Sequence, residues 1–251
     1  MNPASLATTS TGEGPPAWLV HGQLADPVRT WSRLRPVAER WRLIFVHRPG
    51  YGSSPAAGHS DWVTEGECLA ETIEPGTHLV GHSYGAMVAM VAAARRRVAS
   101  LTLVEPPAFS LTRGDPHVEA FIAYIEAIQA NTEASSAHAL RGFLAGMDFP
   151  AEVPDELPAE LADQVTLMRT ERLPWGAAPP IAALASASYP KLVVSGGGGG
   201  PREHVANVLA VAIGAERLII PGGGHNVHRL GAPFNDALET FFASATPEEL
   251  R

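Results

Sequence analysis

The stretch Gly81-His82-Ser83-Tyr84-Gly85 decides how the rest of the chain is interpreted. It directly follows the apolar run His78-Leu79-Val80 and leads into an Ala/Met/Val-rich stretch, residues 84–97, that has the composition of a helix. A Gly-x-Ser-x-Gly between a strand and a helix places the serine on a sharp turn, where strained backbone angles expose the hydroxyl. The two flanking glycines let neighbouring backbone approach that turn closely. The context therefore predicts a nucleophilic Ser83 rather than an ordinary strand-to-helix turn.

Short apolar runs recur along the chain and alternate with helical patterns. Because the runs are apolar without a break, they are typical of parallel strands buried on both faces. The runs lie at residues 17–20, 43–46, 78–80, 101–104, 191–194 and 217–220. The helical patterns cover residues 61–73, 84–97, 201–213 and 230–243. This alternation predicts an α/β fold with a mostly parallel sheet flanked by helices.

Residues 106–190 interrupt the alternation, since they contain many prolines, helical patterns and no good strand. Their helical patterns lie around 116–130, 133–146 and 157–170. We expect a helical cap over 106–189, above the carboxyl ends of the strands, where ligands bind in open α/β sheets. The core is then formed by 17–105 and 190–245. The Ser/Thr/Gly/Pro-rich residues 1–16 are interpreted as a flexible leader.

Composition excludes several classes of function. The 251 residues carry 18 Lys and Arg against 26 Asp and Glu, a net charge of −8, which argues against nucleic acid as a partner. No apolar run approaches the ~18 residues of a membrane span, and residues 1–16 do not resemble a secretory signal, so we expect a cytoplasmic protein. The single cysteine, Cys68, excludes an intrachain disulfide, and no metal-ligand spacing is evident. We expect no metal and no cofactor; the oligomeric state stays open.

A serine hydroxyl is a weak nucleophile and needs a base within hydrogen-bonding distance. His225 ends Pro221-Gly222-Gly223-Gly224-His225, a loop between the last apolar run and the last helical pattern. That position predicts that it lies at the same edge of the sheet as Ser83. His228 is a nearby alternative, but packing at a helix N-terminus explains it better, so we expect His225 to be the base. His82 adjoins the serine, and its side chain is expected to point away from the hydroxyl.

These motifs, with Val20-His21-Gly22-Gln23 and His47-Arg48-Pro49-Gly50-Tyr51-Gly52-Ser53-Ser54, resemble the α/β-hydrolase superfamily over nearly the whole chain. The order of serine, acid and histidine along the chain fits that family as well. The resemblance implies an α/β-hydrolase fold and an oxyanion hole made by the backbone N–H groups of Tyr84 and Gln23. The segment around Arg48 is interpreted as shaping a loop, without a catalytic role.

The chain departs from the family pattern at the acid. Members commonly carry the acid just after the strand that corresponds to 190–194, but residues 195–200 are a serine followed by five glycines. A subset that includes haloalkane dehalogenases and zearalenone-type lactonases has a glutamate after the sixth strand of the family's fold instead, which corresponds to residues 101–104 of this chain. Glu105 resembles that arrangement, so the resemblance implies that it orients the histidine, with Glu203 as the alternative. The glycine run lacks the Gly-Lys-Ser/Thr ending of a phosphate-binding loop.

The expected activity is that of a serine hydrolase that cleaves a small apolar carboxylic ester or lactone through an acyl-enzyme intermediate. C–C bond hydrolysis, acyl transfer or a lyase step on the same residues is the alternative, as is a non-catalytic ligand-binding homologue. Dehalogenation and epoxide hydrolysis are disfavoured because they use a carboxylate where this chain has Ser83. Aromatic and methionine side chains of the cap either line an apolar pocket or pack within the cap: Phe121, Tyr124, Phe143, Met147, Phe149, Met168 and Trp175.

Overall fold

The apolar runs of the sequence lie in strands of one sheet, except for Ile220, which follows the last strand. The computed structural model describes residues 6–55, 60–149 and 151–245, and in these ranges seven strands pair in the order β1-β3-β2-β4-β5-β6-β7. Six strands are parallel, and β1 runs antiparallel to β3 at one edge. The strands are β1 (Ala7–Thr11), β2 (Pro16–Val20), β3 (Arg42–His47), β4 (His78–His82), β5 (Ser100–Val104), β6 (Lys191–Ser195) and β7 (Glu216–Ile219).

Helices cover both faces of the sheet, which confirms the predicted fold class. Alternate residues of a strand point to opposite faces. Accordingly Trp18 belongs to one buried cluster and Leu19 to the other. The helices are α1 (Trp62–Thr72), α2 (Tyr84–Arg95), α3 (Pro116–Ala130), α4 (Ser136–Gly146), α5 (Ala159–Thr170), α6 (Ile181–Ser186), α7 (Gly200–Ile213) and α8 (Ala232–Ala245), with 3-10 segments at Arg29–Glu39, Phe109–Thr112 and Gly224–Arg229.

Both faces of the sheet must be covered because the strands are apolar on both sides. The first cluster combines strand residues with α1, α2 and α7, while the second packs α8 and the 3-10 segment Arg29–Glu39 against the opposite face. In the part of the chain that is described, no helix has the length and apolar character needed to cross a membrane.

The interpretation of residues 1–16 as a flexible leader is wrong for Ala7–Thr11. These residues form β1, paired with β3 from Ala7 opposite His47 to Thr11 opposite Leu43. The sequence did not indicate this strand because it is short and polar. It pairs with only one neighbouring strand, β3, and most of its residues are exposed. Residues 1–5 lie outside the described residues.

The chain between β5 and β6 forms the helices α3 to α6, among them the three that the sequence patterns predict. Part of this segment has a small apolar cluster of its own, in which Ala139 and Leu140 of α4 pack on Val165 and Met168 of α5. Several of its side chains also line the cavity next to Ser83. The segment therefore lies against the cavity beside Ser83, and it is called the cap below.

Candidate active site

Ser83 has the strained backbone that its motif predicts. Its φ is +54° and its ψ is −124°, at the junction between β4 and α2. A Cβ on Gly81 would lie 2.4 Å from the Gly85 carbonyl oxygen, and one on Gly85 would lie 2.3 Å from the Val20 carbonyl oxygen. Contacts this short leave no room for a side chain at either glycine. The turn therefore exists in this form only because both positions are glycine.

The structure brings Ser83, His225 and Glu105 together although they are far apart in sequence. The Ser83 Oγ lies 3.0 Å from His225 Nε2, and His225 Nδ1 lies 3.4 Å from Glu105 Oε2. Because an ionised carboxylate only accepts hydrogen bonds, Nδ1 carries the proton and Nε2 is free to accept from the serine. The imidazole is thereby oriented and held in the tautomer that general-base chemistry at Ser83 requires.

Glu105 is held in place by the glycine run. Its Oε1 accepts a hydrogen bond of 2.8 Å from the Gly196 N–H, and its backbone φ is +49°, which is unusual outside glycine. A Cβ on Gly196 would lie 2.1 Å from the carbonyl oxygen of Gly224, the residue before His225. The first glycine of the run is therefore needed for the close approach of the loop that carries His225. The Arg202 Nε also lies 3.7 Å from Glu105 Oε2.

The alternative acid lies elsewhere. Glu203 accepts hydrogen bonds of 2.9 and 2.8 Å from Ser195 Oγ and pairs with Arg217. Its carboxylate is thus occupied by groups that belong to β6 and β7. This arrangement favours Glu105 over Glu203 as the partner of His225.

The alternative histidines are buried beside the site. Burial lowers the pKa of His228 to about 3, and its ring packs on that of His82 with centroids 4.1 Å apart. His82 Nε2 donates to the backbone carbonyl of His225 at 2.9 Å, so its side chain is directed away from the serine hydroxyl, as the sequence predicts. Burial also lowers the pKa of His82, so both rings are neutral and act as packing around the His225 loop.

The loop that carries the second expected oxyanion donor lies against the serine. Gln23 and Tyr84 line the same cavity as Ser83, and a Cβ on Gly22 would lie 3.0 Å from the Ser83 Cβ. The Gly22 carbonyl accepts a hydrogen bond of 3.1 Å from Arg48 Nη1. Tyr84 and Gln23 therefore both lie at the cavity that Ser83 lines, and their role as oxyanion donors stays a prediction.

Two cavities meet at Ser83. The first is narrow, about 50 Å³, with a mainly apolar wall that includes Phe109, Ile125 and Ile128. The second is wide, about 500 Å³, with a mixed wall that includes His225. Five of the seven predicted pocket residues line the narrow cavity: Phe121, Phe143, Met147, Met168 and Trp175. Phe149 lines only the wide cavity, and Tyr124 lines neither of the two.

Sequence reasoning missed three charged residues at the site. Arg48 is fully buried in ion pairs with Glu65 at 2.7 Å and Glu171 at 2.5 Å, rather than simply shaping a loop. Arg202, in the first turn of α7, lies beside Glu105 and pairs with Asp148 of the cap. A charged residue in the middle of the His47–Ser54 motif is the one signal that could have indicated Arg48. Nothing in the sequence marks Arg202 or Glu171.

In the described ranges, no group of three or more His, Cys, Asp or Glu side chains is arranged to hold a metal ion. The absence of a metal and of a cofactor therefore stays a prediction from the sequence.

Comparison with known proteins gives the class of this chain. A sequence profile of the alpha/beta hydrolase family matches residues 19–237, so the chain belongs to that family. An alpha/beta hydrolase from Sphaerobacter thermophilus superposes with a TM-score of 0.69 at 24% identity, covering 94% of this chain and 96% of that one. A haloalkane dehalogenase loop variant from Bradyrhizobium elkanii superposes with a TM-score of 0.68 at 20% identity, covering 96% and 93%. These structural matches show the shared fold.

Among proteins of known function, the chain is similar to the pimeloyl-[acyl-carrier protein] methyl ester esterase of Methylococcus capsulatus. The two are 36% identical over 119 residues, which is 46% of each chain. An enzyme of the same name from Chromobacterium violaceum is 31% identical over 144 residues, 56% of each chain. The chain thus spans about half the length of these curated relatives.

Proposed function

We propose that this protein is a serine hydrolase that cleaves carboxylic esters, lactones included, through an acyl-enzyme intermediate. The observation that carries the proposal is the 3.0 Å contact between Ser83 Oγ and His225 Nε2, with Glu105 on the far side of the imidazole. The esterase names of the curated relatives agree with it.

In the first step, His225 Nε2 accepts the Ser83 hydroxyl proton while Oγ attacks the carbonyl carbon of the substrate. The carbonyl oxygen becomes an oxyanion, which the backbone N–H groups of Gln23 and Tyr84 stabilise. One such donor contributes about 3 kcal/mol to transition-state stabilisation. Glu105 accepts a hydrogen bond from His225 Nδ1 and stabilises the imidazolium that forms.

In the second step, the tetrahedral intermediate collapses and the proton on His225 Nε2 passes to the leaving alcohol. An ester of Ser83 remains. Water that enters from the wide cavity then gives a proton to His225 and attacks the acyl carbon. The second tetrahedral intermediate collapses, and the same proton returns to Ser83 Oγ as the carboxylic acid leaves. A cavity of about 500 Å³ at His225 gives water the access that hydrolysis, rather than acyl transfer, requires.

We infer from the two cavities where the alcohol and the acyl group of the substrate bind. The leaving alcohol must lie next to His225, because that imidazole protonates it, and His225 lines the wide cavity. The acyl group then extends into the narrow cavity, whose wall includes Phe109, Phe121 and Trp175. We infer a substrate with a short apolar acyl group and a larger, more polar alcohol. The relatives' name specifies a methyl ester, so a methyl ester and a bulky-alcohol ester of the same acid are the informative pair.

The test is covalent labelling followed by turnover. A fluorophosphonate probe should modify Ser83, as found by peptide mass spectrometry, and should leave Ser83→Ala unmodified. p-Nitrophenyl esters should be hydrolysed with an initial burst of p-nitrophenol that reports the acyl-enzyme, and lactones should be opened as well. Labelling without hydrolysis of any ester or lactone would favour the C–C hydrolase, acyltransferase or lyase alternative, and absence of labelling would favour a ligand-binding homologue.

A further inference from the structure

A buried cluster of charges connects the cap to the loop behind the oxyanion hole. Arg48, which follows β3, is fully buried and has two carboxylate partners. Glu65 comes from α1 of the core, whereas Glu171 immediately follows α5 of the cap. The side chains of Arg48 and Glu171 are 0% exposed, so this is an interior ion pair between the two parts of the molecule.

Both oxygens of the Glu171 carboxylate have a partner. Oε1 accepts a hydrogen bond of 2.5 Å from Arg48 Nη2, and Oε2 accepts one of 2.6 Å from Gln23 Nε2. Burial raises the pKa of this carboxyl, and the adjacent guanidinium opposes that shift. The backbone carbonyl of Glu171 also accepts from Gln129 Nε2 at 2.9 Å, which ties this point of the chain to α3.

Arg48 acts directly on the peptide that precedes Gln23. Its Nη1 donates to the Gly22 carbonyl at 3.1 Å, and His21 Nδ1 donates to the same oxygen at 2.8 Å. Because a peptide unit is planar and trans, fixing the Gly22 carbonyl also fixes the direction of the Gln23 N–H on the opposite side. That N–H is one of the two expected oxyanion donors. A rotated peptide would turn a carbonyl toward the oxyanion instead.

We propose that the Arg48–Glu171 pair positions the Gly22–Gln23 peptide, so that the oxyanion hole is complete only with the cap docked on the core. Arg48 holds the carbonyl of that peptide, and Glu171 holds both Arg48 and the Gln23 side chain. The proposal rests on the proposed hydrolase function, and both glutamate and arginine are positioning residues that do not touch the substrate.

The central variant is Glu171→Gln. The cluster has two carboxylates for one guanidinium, so this change removes an excess buried charge and should be tolerated by the fold. Arg48 and Gln23 donate to different oxygens of the carboxylate, and an amide has an NH2 group at one of those two positions. In the same geometry it therefore cannot accept from both Arg48 Nη2 and Gln23 Nε2. The reciprocal pair Gln23→Glu with Glu171→Gln keeps the net charge and restores an amide-to-carboxylate hydrogen bond.

The readout is steady-state hydrolysis of a p-nitrophenyl ester together with inhibition by a trifluoromethyl ketone, whose serine adduct carries an oxyanion. Removal of a whole oxyanion donor lowers kcat by about 10²–10³-fold. For a misplaced donor we expect Glu171→Gln to lower kcat by about 10–100-fold, with a KM within about twofold of wild type. The inhibition constant of the ketone should rise in parallel, and the reciprocal pair should recover most of kcat. Glu156→Gln, the same change at an exposed position of the cap, should have no effect.

Three outcomes would overturn the proposal: an unchanged kcat in Glu171→Gln, a reciprocal pair no better than Glu171→Gln alone, or an equal loss in Glu156→Gln. If thermal unfolding shows that Glu171→Gln does not fold, Gln23→Leu replaces it, since that side chain is half-buried. A wild-type kcat in Gln23→Leu then also refutes the proposal. An inert wild-type protein, unlabelled by the fluorophosphonate, instead refutes the proposed function, so the two failures are distinguishable.

Discussion

Gly196 offers the sharpest test of how the loops around His225 are packed. A Cβ at this position would lie 2.1 Å from the carbonyl oxygen and 2.3 Å from the nitrogen of Gly224, whereas real Cβ contacts are essentially never under 3.0 Å. In Gly196→Ala, one of the two loops must therefore move by about 1 Å. Gly196 also donates to Glu105, and Gly224 adjoins His225, so either movement separates the imidazole from a partner. A misplacement of about 1 Å can lower turnover by about 100-fold.

The assay is kcat/KM for a p-nitrophenyl ester, together with the rate of fluorophosphonate labelling and the melting temperature. We expect both rates to fall by about 100-fold, since both depend on proton transfer from Ser83 to His225. The matched control is Gly198→Ala in the same loop, where the nearest atom to the added Cβ is the Arg202 Nη2 at 3.9 Å. This variant should keep nearly full activity.

The reasoning is refuted if Gly196→Ala, still folded, hydrolyses the ester within about threefold of the wild-type rate. It is also refuted if the two alanine variants lose the same amount, because a general loss of loop flexibility would then explain both. Restored labelling at elevated pH would point to altered proton transfer and would leave the packing argument intact.

Three further outcomes are expected. Glu105→Gln should lower kcat by up to about 10⁴-fold while Glu203→Gln stays near wild type in initial-rate assays, and the reverse result would reassign the acid. Phe121→Ala should move the best p-nitrophenyl ester to a longer acyl chain, whereas Phe149→Ala, in the other cavity, should not; an unmoved optimum would contradict the acyl assignment. Burial lowers the pKa of His228 from 6.5 to about 3, so the unfolded state binds the extra proton between those values. Between pH 6.5 and about 3, His228 should therefore lower the free energy of unfolding by about 1.4 kcal/mol for each unit that the pH falls, and urea titrations of His228→Phe should show a smaller slope.

Local patterns were enough to predict most of the sheet, its helices and the nucleophile turn. Apolar runs set the six parallel strands because burial on both faces requires such runs. The serine turn was readable because its glycines are needed for contacts within a few residues, as the approach of a Gly81 Cβ to Gly85 shows. β1 was not predicted because it is a polar edge strand without an apolar run. Its place in the sheet depends on pairing with β3.

The tertiary structure alone decided which charged groups meet. The sequence favours Glu105 over Glu203 only through a family resemblance, whereas the packing of the Gly196 loop against Gly224 brings the Glu105 carboxylate to His225. The ion pair between Arg48 and Glu171 joins residues 123 positions apart. Such contacts depend on strand order and on how the cap returns to the core. Local periodicity contains no information about either, because it records only which face of its own element a residue occupies.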